Sequence, residues 1–72
     1  MPIMHQVEST NLDSIGWEND ILTVRFRSGA SYQYFDVPEN VFISIRVGAI
    51  GNSIGKTFNM LVRNGLFEYR LI

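Results

Sequence analysis

Cysteine is absent from the chain, and histidine occurs once, as His5. Without thiols no disulfide can brace the fold, and no thiolate can hold zinc. A single imidazole cannot build a His-rich metal site. The carboxylates Glu8, Asp13, Glu18, Asp20, Asp36, Glu39 and Glu68 stand singly, with no Glu-x-x-His or Asp-x-Asp spacing. No metal or other cofactor is therefore expected. No apolar run approaches the roughly 20 residues of a membrane span. The start, Met-Pro-Ile-Met-His-Gln, has no basic region followed by an apolar stretch, so a signal peptide is not expected. With no cysteine and no signal, the expected location is the cytoplasm. An excess of positive charge is missing too. Six Lys and Arg face seven Asp and Glu, for a net charge of −1 and a pI near 5.6. A freestanding nucleic-acid binder is usually basic, so any such role needs a local patch.

The 72 residues suffice for one domain, expected to span residues 1–72. They exclude an eight-fold barrel and a doubly wound nucleotide-binding fold. A content of 46% hydrophobic and 18% charged residues argues for a folded chain. A domain this small buries only about 60% of its unfolded surface and is marginally stable. That favours a homodimer or a larger partner.

The first half reads as strands. Residues 6–17 mix polar and apolar side chains around Val7, Leu12, Ile15 and Trp17, and Ser9-Thr10-Asn11 interrupts them as a bulge or bend would. After the turn cluster Glu18-Asn19-Asp20, residues 21–27 alternate, with Leu22, Val24 and Phe26 on one face and Thr23, Arg25 and Arg27 on the other. Ser28-Gly29 signals a hairpin, and residues 31–37 return. A two-residue loop would put Tyr32 and Tyr34 beside Arg25 and Thr23. A three-residue loop, Arg27-Ser28-Gly29, would pair Phe26 with Ala30 and put both tyrosines beside Val24 and Leu22. The second separates apolar from polar better and is preferred. It buries the tyrosines under the helices and leaves Phe35 on the polar face.

The second half reads as helices. Pro38 suits a first helical position, and Glu39 complements the positive end of the helix dipole. Val41, Phe42, Ile45 and Ala49 form a buried stripe, which Gly48 and Gly51 end or bend. Ser53 caps a second helix running to about Asn64, with Ile54, Phe58, Leu61 and Val62 inward. Asn64-Gly65 closes it, since either residue tolerates a left-handed C-terminal position. Residues 67–72 alternate again as a last strand. The expected fold is α+β: an antiparallel sheet of three N-terminal strands and one C-terminal strand, with two helices packed on one face.

Few motifs carry chemistry. Gly51-Asn52-Ser53-Ile54-Gly55-Lys56-Thr57 encloses three residues between its glycines, where a phosphate loop needs four, and follows a helix rather than a strand. Its expected role is a loop and helix cap. A weaker reading keeps one anion at Ser53–Lys56. No nucleophile-elbow sequence accompanies His5, which is expected to be solvated near a frayed terminus. No constellation supports an enzyme. The candidates for a nucleic-acid patch are Arg25 and Arg27 on one strand face, joined by Arg70 if the last strand lies near, and Lys56 and Arg63 on one side of the second helix. Tyr32 and Tyr34 are candidates for base stacking, although core packing is the preferred role.

Across residues 6–71 the pattern resembles the KTSC domain, a small family named for the C-terminal region of some lysyl-tRNA synthetases. The residues that carry the resemblance are Val7, Ser9, Asn11, Ile15, Gly16 and Trp17; Leu22, Val24, Phe26 and Gly29; Tyr32, Tyr34, Val37 and Pro38; and Gly55, Phe58, Asn59, Arg63 and Tyr69. Trp17 replaces an expected tyrosine, and Gly48-Ala49-Ile50-Gly51 replaces an Ala- and Ser-rich connection. The resemblance implies a single small domain of bacterial type. Through the synthetase fusion it implies RNA or a tRNA-related molecule as partner. Protein association or homodimerisation through the open sheet face or an edge strand is the alternative.

Overall fold

Alternating side chains and two tight turns build one antiparallel sheet whose five strands lie in chain order. The computed structural model describes residues 2–65 and 67–72. The strands are β1 (His5–Gln6), β2 (Leu12–Glu18), β3 (Ile21–Phe26), β4 (Ser31–Tyr34) and β5 (Tyr69–Leu71). Between β4 and β5 the chain forms α1 (Glu39–Val47) and α2 (Ile54–Phe58), and α2 runs on into a π-helical turn, Asn59–Arg63. The α+β architecture matches the sequence expectation.

The first strand departs from it. Ser9-Thr10-Asn11 reverses the chain instead of bulging it, so the expected single strand is two paired strands, with His5 opposite Ile15 and Gln6 opposite Ser14. The Ser9 hydroxyl accepts from the amides of Asn11 and Leu12, both at 3.3 Å, and so supplies the turn's hydrogen bonds. The bulge lies instead at Asp13, between the pairs Leu12–Phe26 and Ser14–Arg25. Asn19 and Asp20 both take positive φ, 54° and 64°, the conformation that a two-residue hairpin loop requires.

The β3–β4 hairpin takes the three-residue loop. The Phe26 amide donates to the Ala30 carbonyl, the Gly29 amide donates to the Phe26 carbonyl, and Gly29 has φ 99°. Leu22 therefore faces Tyr34, and Val24 faces Tyr32, on the apolar side. Phe35 lies beyond the strand end and is half-buried, with its amide donating to the Glu68 carbonyl.

The core lies between this apolar face and the helices. Leu12, Ile15, Leu22 and Val24 meet Val37, Phe42, Ile45, Phe58 and Val62 there. Trp17 pins the start of α1, because its indole N–H donates to the Val37 carbonyl at 2.7 Å. Pro38 sits just before the first helical residue, with φ −64° and ψ 151°. Gly48 ends α1 in the left-handed conformation, so Ala49 lies outside the helix and is exposed, not part of the buried stripe. Ser53 caps α2, accepting from the Lys56 amide at 3.1 Å. At the far end neither Asn64 nor Gly65 is left-handed. Glycine is needed at 65 for space: a Cβ would lie 2.8 Å from the Leu61 carbonyl oxygen and 3.3 Å from the Phe67 ring.

The opposite face of the sheet is polar. It presents Ser14, Thr23, Arg25, Ser31, Gln33 and Arg70 by register. Residues 2–4 cross it at Gly16, where a Cβ would come within 2.7 Å of the Ile3 carbonyl oxygen and 2.8 Å of the Met4 sulfur.

Candidate functional site

The two helices are shorter than the sheet is wide, and this produces an opening. They seal β2 and β3 and end beside β4. Tyr69 and Leu71 of β5 share the apolar face with Tyr34 and Tyr32, yet they remain 64% and 63% exposed. Between the β3–β4 hairpin, the end of the second helix and β5 lies a cleft of about 450 Å³. Phe26, Tyr32, Tyr34, Phe67 and Tyr69 form its aromatic walls, and Arg63 stands at its side.

The rings grade from core to solvent. Phe58 packs edge-on against Phe26 at 5.8 Å and Tyr34 at 5.7 Å. Tyr34 is 6% exposed, Tyr32 is half-buried and Tyr69 is mostly open. Tyr69 lies 5.6 Å from Tyr34 and 5.9 Å from Tyr32, both tilted. Such pairs add to the energy of area burial. Among the described residues, none of the three phenolic hydroxyls has a hydrogen-bond partner, and Arg63 has no carboxylate partner. Burial pushes the Tyr34 hydroxyl pKa above its ordinary value. The Arg63 charge pulls it down, while Tyr32 and Tyr69 reinforce the rise. Arg63 thus lies within electrostatic reach of the Tyr34 phenol.

The other basic candidates do not gather here. Arg25 projects from the outer face of the sheet, opposite Ser14 and Ser31. Arg70, opposite Gln33 in β5, shares that outer face. Arg27 is a tether: its Nε donates to the Ser9 carbonyl at 2.7 Å, holding the β3–β4 loop to the β1–β2 turn. Lys56 lines a separate polar groove of about 600 Å³, with Arg46, Glu8, Asn11, Asn52 and Asn59. Seven α-helical positions would bring Lys56 and Arg63 to one side. The π turn between them changes the angular advance per residue, and the two side chains line different cavities.

The glycine-rich segment before α2 serves the fold. Thr57 is fully buried, its hydroxyl donates to the Ser53 carbonyl at 2.6 Å, and that oxygen accepts from the Ile50 amide at 2.9 Å. A phosphate loop would need this hydroxyl free for a metal ion. His5 is not frayed: it lies in β1, half-buried, with its ring 6.2 Å from that of Phe42. Among the described residues, no group of three or more His, Cys, Asp or Glu is placed to hold a metal ion, and no helix is long and apolar enough to cross a membrane.

Sequence reasoning found Tyr32, Tyr34 and Arg63 but missed Phe26, Phe67 and Tyr69 as partners in a cleft. The available signal was numerical. Tyr69 and Leu71 extend the apolar face by one more strand, and no helical residues remain to cover it.

The family model of the KTSC domain matches residues 8–65. The chain belongs to the KTSC domain family. Within that match lie the hairpin, both helices and Arg63. A curated protein of Tsukamurella paurometabola is 34% identical over 62 residues, covering 83% of this chain and 88% of its own. The crystal structure of a KTSC domain protein from Yersinia pestis superimposes with a TM-score of 0.82 at 30% identity, over 100% of this chain and 99% of that one. The likeness to that KTSC structure covers β5, which lies beyond the family model, so the strand that carries Tyr69 falls within the shared fold.

Proposed function

We propose that this KTSC domain is a non-catalytic binding module for single-stranded RNA or a tRNA-related partner. One observation carries the reading: an unpaired guanidinium, Arg63, beside an open cleft walled by aromatic rings. Stacking surface and phosphate-binding charge then occupy one place, as single-strand recognition requires. Arg25 and Arg70 on the outer face supply further phosphate contacts. The net charge of −1 makes long-range attraction weak, so the local groups carry the affinity. The test is a titration with transfer RNA and mixed single strands at several salt concentrations. Three or four phosphate contacts give a log–log slope of about −2 to −3. Replacing Arg25 and Arg63 together makes it shallower by more than about one unit. Absence of binding to mixed RNA at low salt overturns the reading.

A second reading, homodimerisation, draws on a different observation. β5 is an edge strand whose Tyr69 and Leu71, with the adjoining Ile72, are exposed. Such an edge can pair with another strand. A concentration-dependent mass in sedimentation, abolished by a proline at position 71, favours it.

A further inference from the structure

Resting on the RNA reading, we infer that the aromatic cleft is a single-nucleotide site, which takes one unstacked base among Tyr32, Tyr34 and Tyr69 and that nucleotide's phosphate at Arg63. Three observations converge on this class of ligand. The cleft's walls are rings, which favour a flat π-faced guest. Its floor holds a phenol, Tyr34, whose ring is 6% exposed and whose hydroxyl has no partner among the described residues. A hydroxyl left unpaired in so enclosed a place is satisfied by a guest with donors and acceptors on its edge, as every base has. The adjacent charge is a guanidinium without a carboxylate partner, and its fork matches the oxygens of a phosphate. A purely apolar peptide side chain would leave both the phenol and the guanidinium unmatched.

The site has a stated footprint. Its volume of about 450 Å³ admits one nucleotide, and the opening lies on the side of β5 that carries Tyr69. A base in a duplex cannot enter without leaving its stack, so paired RNA is excluded. A nucleoside 5′-monophosphate is then a complete ligand for the cleft, with no need for the outer-face cations.

The experiment follows backbone amide signals of the whole domain during titration with AMP, GMP, CMP and UMP, with adenosine and ribose 5-phosphate as part-ligands. Shifts are expected at residues 30–34, 63–65 and 67–70, saturating with the nucleotides. Tyr69→Ala, an exposed position, weakens the best nucleotide by about 5- to 100-fold, the range for loss of one stacking ring. Arg63→Gln weakens the nucleotide but not the nucleoside, so their affinity ratio collapses. Tyr34→Phe keeps the ring and costs about three- to tenfold, as for one hydrogen bond. Ribose 5-phosphate binding as well as AMP would overturn the base site. So would shifts confined to the Lys56 groove, or cleft signals that move with protein concentration alone, as a dimer would cause. Loss of all RNA binding sinks the functional reading itself. RNA binding that Tyr69→Ala leaves untouched sinks only the cleft assignment.

Discussion

At the β2–β3 end of the sheet, Ile15, Leu22 and Val24 are fully buried beneath the helices. At the β4–β5 end, Tyr69 and Leu71 on the same face are more than 60% exposed. The strands are chemically alike, and only the cover differs. Fourteen residues of α1 and α2, even with the π turn after them, cannot roof five strands. The chain roofs the strands that hold Trp17 and the aliphatic side chains, and leaves open those that hold tyrosines. A tyrosine tolerates that position better than leucine does, because its ring packs inward while its hydroxyl meets water. The domain thus spends its limited core on one half and keeps the other half for contact.

This contrast predicts a gradient of mutational cost. The largest effect falls on Phe58, 1% exposed and stacked on both Phe26 and Tyr34. Phe58→Ala is expected to cost about 3–5 kcal/mol in urea unfolding, much of a small domain's stability. A loss below about 1 kcal/mol would mean that the helices do not seal the core. Next comes Trp17→Phe, which removes the bond to the Val37 carbonyl while keeping a ring. Leaving that acceptor unpaired costs about 1–3 kcal/mol, visible as a lower thermal midpoint. Smallest is Tyr69→Ala at the open end, where an exposed ring is worth about 0.5 kcal/mol or less to folding. A thermal midpoint that fell as far for Tyr69→Ala as for Trp17→Phe would erase the difference between the two ends.

Much of this was legible in the sequence. The β3–β4 register followed from alternation plus a glycine at the one loop position that needs positive φ, and it placed Tyr32 and Tyr34 correctly. The α2 cap followed from Ser53. What was not legible depends on lengths and on neighbours. A two-residue β1 is too short to show any period, so its reversal at Ser9 read as a bulge. Arg27 looked like Arg25 in the pattern, but the β1–β2 turn beside it makes it a tether. The cleft is defined by where cover stops, and no local pattern records that. Thr57 read as part of a loop motif, because the carbonyl that its hydroxyl meets becomes visible only once α2 is wound.

The π turn has a consequence in terms of chain length. Its closing bond runs from the Asn64 amide to the Asn59 carbonyl at 2.9 Å, five residues back, so this stretch is an α-helix with one residue to spare. Deleting any one residue of the turn would restore α-helical phase and rotate everything after it by about 100° relative to Phe58. The guanidinium of Arg63 and the glycine that makes room for Phe67 would both leave the cleft, while Phe58 and the sealed half stayed where they are. A single codon, lost or gained, separates a KTSC domain with a cation at its aromatic cleft from one of the same fold without it.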